Sequence, residues 1–556
     1  MLESFFLQPI TKFFTTDSNR SYKFFFTLLI TFITSLSLIL VSTGSAPIVL
    51  KPWDVIIQLD GGWRIINEQT PHIDFYSPLG PLSLLLTAFG MKVASPSASS
   101  IVYGSVLLFL VLTPWAWFIA RSRLSSANAF LFALFMGFFL VTPRALGDGI
   151  RELSYATLYN RQGFVLLSLL LIELFIPYRP SVRHKNYLLS GLSSGILLGL
   201  LLFCKINYFG VGAVAVLIRI LIFRFQRTWL IAFTSGFLLI CITMQIFFKV
   251  NLFSLISNVA LAAKAQSFSN RLQHFLDVFQ DNSCYFCLTL TIVIFLSIGD
   301  FEKEKQEKNK VFHLRLDRTL ILTAFVALSG LLICSTNGQW KDIPLFFVAG
   351  LIPLEYLRRE VQFYDLSFKT VSGIKYFWCL LIVISFCGNI LGKDLASFGY
   401  SVYLNSFKVS SISETQRFQS KTLHDLVVPE WSRVGLERNY IKQINDGLAL
   451  LRQHVSSNSR VFALDFSNPF PFALELPPPH GDALWWHSHV TFNRNSFPKA
   501  EQTFKDVDMV MTPKNRRWWW FDETEKMMED AYGNYLSKYF IEKDKSQFWT
   551  LLLRAD

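Results

Sequence analysis

Of the chain's 556 residues, 52% are hydrophobic and 17% charged, where soluble domains carry about a quarter, and the mean hydropathy is +0.37. With 55 Phe among them, a single water-solvated core is excluded. The net charge of +12 would suggest nucleic acid in a soluble protein; here it is first a topology signal, and no nucleic-acid partner is expected.

Apolar segments bounded by charge or turn residues fall at 24–41, 101–120, 127–141, 164–176, 188–203, 208–223, 229–248, 285–298, 319–335, 343–357 and 376–391. A polytopic α-helical membrane protein with about eleven transmembrane helices is therefore expected, the shorter segments drawing on flanking residues or re-entering. Basic residues collect on the cytoplasmic side of short loops. Lys and Arg number 21 on the loops that share a side with the N-terminus and 11 on the opposite set, whose loops are longer in total. The N-terminus is expected inside and the C-terminal part outside. The first apolar segment lacks a convincing small-residue cleavage site and reads as a retained helix. The organisation expected is a cytoplasmic stretch over 1–23, a membrane domain over 24–392 with a first external loop over 43–100, and a soluble domain over 393–556.

Residues 81–93 are apolar but short and read as an interfacial helix, with plain packing under the loop as the alternative. The tail predicts a helix over 438–455, where Ile441, Ile444, Leu448 and Leu451 recur at helical spacing. Strands over 461–466 and 507–511, a helix over 522–535 and a last strand over 548–553 make a small α/β domain. All seven cysteines precede this tail, so no disulfide staples it. Cys284 and Cys287 form one C-x-x-C, read as membrane packing in preference to redox or metal use. His487 and His489 would share one face of a strand, but a third metal ligand is not evident. Trp485, Trp486, Trp518, Trp519 and Trp520, with Arg516 and Arg517, suit a membrane interface or a domain core better than sugar stacking.

The most informative stretch is residues 53–82, WDVIIQLDGGWRIINEQTPHIDFYSPLGPL, which holds Asp54, Asp60, Glu68 and Asp74 just outside the first membrane helix. A carboxylate there can act as general base on an acceptor, or hold a divalent cation against a phosphate leaving group. It can equally cap a helix or solvate a loop.

The order Asp60, Trp63, Pro71, Asp74, Phe75, Pro78, Gly80, Pro81 resembles the first periplasmic loop of GT-C fold glycosyltransferases, the superfamily of protein O-mannosyltransferases and lipid A aminoarabinose transferases. Residues 191–205, a small-residue-rich helix ending in Lys205, are similar to the helix such families place near the carrier phosphate. The resemblance covers about the first 220 residues. It implies a bacterial inner-membrane enzyme that moves a sugar from a polyprenyl-phosphate carrier to a glycan, lipid or protein acceptor on the outer side, with Asp60 as catalytic base and Asp74 as the second acid. Gly61 and Gly62 stand where many relatives have another acid, a departure from a paired-acid metal site; a divalent cation stays open as a cofactor.

Chemistry independent of family asks for cations around a phosphate leaving group. Arg64, Arg144, Arg151, Arg161 and Lys205 are the candidates on the external side. If Asp60 opens a helix, Arg64 falls on its face by the i, i+4 rule, which makes a plain ion pair the competing reading. Interfacial anchoring competes for Arg144 and Arg161, and snorkelling for Lys205. A transporter or flippase is the rival class; it would carry ionisable residues within several spans or broken helices paired between two halves, and neither is prominent. An O-antigen polymerase or ligase would place its key residues in a late loop, whereas here the acids come first.

Overall fold

A computed structural model describes residues 19–179, 186–223, 226–304, 310–363, 371–407, 417–428, 436–514 and 522–555. Each of the eleven apolar segments lies in a helix. The first half runs α1 (Asn19–Thr43), α2 (Pro52–Ile66), α3 (Leu82–Ala94), α4 (Ser100–Arg121), α5 (Ser126–Val141), α6 (Leu158–Phe175), α7 (Tyr187–Cys204) and α8 (Ile206–Ile222). It continues with α9 (Arg227–Phe247), α10 (Leu252–Ala265), α11 (Phe268–Asp281), α12 (Ser283–Glu304), α13 (Lys310–Thr336), α14 (Leu345–Phe363) and α15 (Val371–Phe407). Among the described residues seven of these, α1, α4, α6, α7, α9, α13 and α15, are long and apolar enough to cross a membrane. Helices α5 and α8 and the described part of α12 are shorter apolar helices.

Without a hydrophobic drive between lipid-solvated helices, contact depends on small residues that let backbones approach. At Gly195 of α7 an added Cβ would stand 2.0 Å from the Phe233 carbonyl oxygen of α9, so this seam accepts only glycine there. Outward-facing Leu38, Leu221 and Phe247 are 66–76% exposed, an apolar surface suited to acyl chains. Helices α10 and α11 continue it: Phe253 and Phe268 are 81% and 80% exposed, and Leu272 and Leu276 follow Phe268 at steps of four. An amphipathic hairpin of this kind lies in the interface rather than across it.

Helix α15 runs on past 392 to Phe407, and the charged pair Lys393 and Asp394 lies within it, engaged in an ion cluster inside the fold. Helix α3 buries Leu84, Ala88 and Met91 between α2 and α4 and leaves Phe89 and Val93 exposed.

The tail builds α16 (Leu436–Leu451), β1 (Val461–Ala463), the short α17 (Phe470–Ala473) and α18 (Ala500–Thr503), β2 (Met509–Pro513), α19 (Asp522–Tyr539), β3 (Phe540–Lys545) and β4 (Trp549–Arg554). The sheet order is β1-β2-β4-β3; β1 and β2 pair in parallel and the other neighbours antiparallel. The four apolar positions expected on one face of α16 are all buried. Strand β3, FIEKDK, gives no apolar signal because it is an edge strand whose charges face solvent. The expected strand at His487 and His489 is absent; these residues lie in a looped stretch, with φ +59 at His489. Trp518, Trp519, Trp520, Arg516 and Arg517 lie outside the described residues.

Candidate active site

Lys51 enters a left-handed turn (φ 56) and Pro52 opens α2, whose fixed φ suits the first helical position. The helix then carries Asp54 in its first turn and Asp60 and Arg64 further on. Asp54 and Asp60 are six residues apart, which sets them roughly 120° apart around the helix. Their surroundings differ accordingly.

Asp60 faces inward. It is 1% exposed, and its Oδ2 accepts from Arg64 Nε at 2.7 Å. Arg64 is itself fully buried and donates through Nη2 to Asp482 of the C-terminal domain at 2.8 Å and through Nη1 to the Pro479 carbonyl at 2.9 Å. Burial pushes the Asp60 carboxyl up to about 6 against the pull of Arg64, and it raises Asp482 as well. Burial works against the Arg64 charge, but two carboxylates outweigh it and hold the guanidinium above its ordinary range. Trp63 Nε1 donates to the Leu476 carbonyl at 2.9 Å, so the same helix face grips the tail twice. The Asp60 carboxylate thus lies under the docked tail, Oδ2 paired with Arg64 and Oδ1 buried with no hydrogen-bond partner among the described residues. Asp74 Oδ2 accepts from Thr70 N at 2.7 Å and closes the turn over 70–74.

The cations divide in the same way. Arg144 donates to Asp394 at 2.8 Å and Asp342 at 2.5 Å, and Arg161 to Asp394 at 3.0 Å, all essentially buried. Like Arg64, both are ion-paired inside the fold. Arg151 stands exposed on the loop after α5. Lys205 is different. Its ammonium donates to Asn337 Oδ1 at 2.7 Å and Asn160 Oδ1 at 3.5 Å and lies 4.9 Å from the centre of the Tyr159 ring; among the described residues no carboxylate pairs with it. Burial in the turn between α7 and α8 lowers it to about 8. Beside it the buried Nδ2 of Asn160 has no acceptor among the described residues.

Asp54 is the matching acid. It is partly exposed, and among the described residues its carboxylate makes no hydrogen bond or ion pair. Lys51, its nearest basic neighbour, is committed to both oxygens of Asp148 at 3.0–3.1 Å. Burial pushes Asp54 up to about 6. Tyr159, against which Lys205 packs, is raised chiefly by burial and in part by the charge of Asp54. Gly80 fastens the first external loop to this spot: its N–H donates to the Cys204 carbonyl at 3.1 Å, and a Cβ there would meet the Phe203 carbonyl oxygen at 2.1 Å.

The chain is similar to ArnT in outline. The crystal structure of ArnT from Cupriavidus metallidurans bound to undecaprenyl phosphate superposes with a TM-score of 0.45 at 10% identity, over 94% of this chain and 97% of that one. The apo form of ArnT superposes with a TM-score of 0.36 at 10% identity, over 95% and 98%. No family model and no curated protein matches the chain.

Among the described residues no three His, Cys, Asp or Glu side chains gather where a metal ion could sit. His489 pairs with Glu523 at 2.8 Å, and His487 packs on the Phe466 ring. All seven cysteines are free, with Cys284 and Cys287 exposed on α12. Asp54 was visible in the sequence but outranked by Asp60. The signal that separates them is the i+4 position, Arg64 for Asp60 and the uncharged Gln58 for Asp54. Asn160, Asn337 and Asp482 carried no such signal.

Proposed function

We propose that the chain is a membrane glycosyltransferase that takes a sugar from a polyprenyl-phosphate carrier and passes it to an acceptor on the side of the membrane where α2 and the C-terminal domain lie. What supports the reading is an acid held near neutrality, Asp54, together with a cation that lacks a counter-charge, Lys205, which packs on Tyr159, a phenol that the Asp54 charge also reaches. A general base works best with a pKa near the operating pH, and a preorganised cation stabilises charge that develops on a leaving group.

Asp54 takes the proton from the acceptor hydroxyl or amine as that atom attacks the anomeric carbon. The bond from that carbon to the carrier phosphate oxygen breaks, its electron pair leaves with the phosphate, and the charge is met by Lys205 and the free amide donor of Asn160. A single displacement inverts the anomeric centre. Asp60 acts at one remove, through Arg64 and Asp482, by fixing α2 under the tail. Buried ionisable groups at the other end of the bundle pair with each other, Arg123 with Glu173 at 3.5 Å and Arg358 with Glu355 at 2.6 Å, which suits anchoring better than a transport path.

Mass spectrometry of lipid-linked intermediates from cells with and without the protein tests the reading. Loss of the protein is expected to accumulate one lipid-linked sugar on the outer face, reversed by the wild type and not by Asp54→Asn. Accumulation on the cytoplasmic face would make the protein a flippase instead.

A further inference from the structure

At the end of the bundle away from Asp54, α1 and α4 diverge around Pro114 to leave an apolar groove of about 370 Å³, lined by Phe26, Leu29, Ile33, Trp117 and Phe118. Proline removes one helix hydrogen bond at that turn. The groove opens sideways to lipid, since Phe26, Ile30 and Phe118 on its rim are 42–50% exposed. Arg121, the last residue of α4, stands at its mouth. The guanidinium lies 4.8 Å from the centre of the Phe118 ring and 5.7 Å from that of Tyr22, and it donates a hydrogen bond to the Tyr22 hydroxyl.

Its neighbours at this end are matched with acids, Arg123 with Glu173 and Arg359 with Glu355. Arg121 has no carboxylate within ion-pair distance among the described residues. Arg20 and Lys23 are exposed one turn of α1 from it. An arginine at the mouth of an apolar trench, held between two rings and lacking a counter-charge, is complementary to an amphiphile with an anionic head and a hydrocarbon tail.

We propose that this groove is a binding site for an anionic phospholipid of the leaflet next to the N-terminus, one acyl chain lying along Leu29 and Ile33 and the phosphate on Arg121. The site is remote from Asp54 and Lys205 and stands independently of the transfer reading. The test is native mass spectrometry of the full chain released from nanodiscs of equimolar phosphatidylglycerol and phosphatidylcholine. The wild type is expected to retain phosphatidylglycerol in preference. Arg121→Gln should lower that preference about tenfold, the scale of one charge-assisted hydrogen bond, Arg121→Lys should keep most of it, and Ile30→Trp should block the groove. Equal retention of the two lipids by the wild type overturns the proposal whether or not a variant folds. Undiminished preference in Arg121→Gln, or displacement of the phospholipid by added polyprenyl phosphate, overturns it as well.

Discussion

Asp54 and Asp60 sit on one helix and are both pushed up to about 6, yet among the described residues only Asp60 has an ion-pair partner. If Asp54 is the base, transfer rises with pH through about 6 as its carboxyl ionises, and falls above about 8 as Lys205 loses its proton. The signs follow from the two directions. A raised carboxyl is lost as a base when pH drops, and a lowered ammonium is lost as a cation when pH climbs. A pH profile of kcat/KM in proteoliposomes checks this, with Lys205→Arg expected to abolish the alkaline limb because a guanidinium stays charged. Asp54→Asn should cost about 100-fold or more in kcat with insertion intact. Asp60→Asn should cost less, since Arg64 keeps Asp482 as a counter-charge. The reverse ranking would return the base to Asp60. Arg64→Met is a stability variant: it leaves two buried carboxylates without their cation, a loss of about 3–5 kcal/mol to be read from thermal unfolding in detergent.

At the scale of elements, the sequence showed what depends on period and run length. The four apolar positions of α16, the buried runs that became β1 and β2, and the apolar segments were all legible. Edge strand β3 was not, because its residues face solvent. That α15 continues past Lys393 was not legible, because a charge inside an ion cluster looks, in sequence, like a charge at a boundary. The site divides likewise. Arg64 and Asp60 could be paired from their i, i+4 spacing, whereas Asp482 and Asp394 meet their arginines 418 and 250 residues away, which no local pattern encodes. Gly80 shows what such contacts do to an element. It brings the first loop against the end of α7, so Gly80→Ala must move the loop off the Phe203 carbonyl and separate Asp54 from Lys205. The expected outcome is a large loss of kcat in a protein that still inserts, with normal unfolding temperature within a few degrees. An unchanged kcat would show that the loop contact does not set the site.

The whole molecule is held, at the end of the bundle that bears α2, by charge in low dielectric. Arg144 and Arg161 share Asp394 of α15; Arg144 also holds Asp342, which Lys393 reaches from the rim at 2.8 Å. The Arg144 guanidinium donates to the Asp148 carbonyl at 2.8 Å, and Asp148 in turn binds Lys51, the residue that turns the chain into α2. A line of contacts thus runs from the last membrane helix to the first turn that bears Asp54. Removing one partner of a buried pair leaves an uncompensated charge, a larger penalty than the pair's own net worth. Asp394→Asn takes the carboxylate from Arg161 and leaves Arg144 with Asp342 alone, and should lower stability by about 3–5 kcal/mol, while Lys393→Gln, at a site 32% exposed, should change it by less than about 1 kcal/mol. The sharper readout is local. Hydrogen exchange in Asp394→Asn should quicken over 142–157 and at the start of α2 before it does in α7 or α9, with kcat falling in step. Exchange that quickens evenly along the chain would mean that the cluster supports the bundle as a whole and has no particular hold on Asp54.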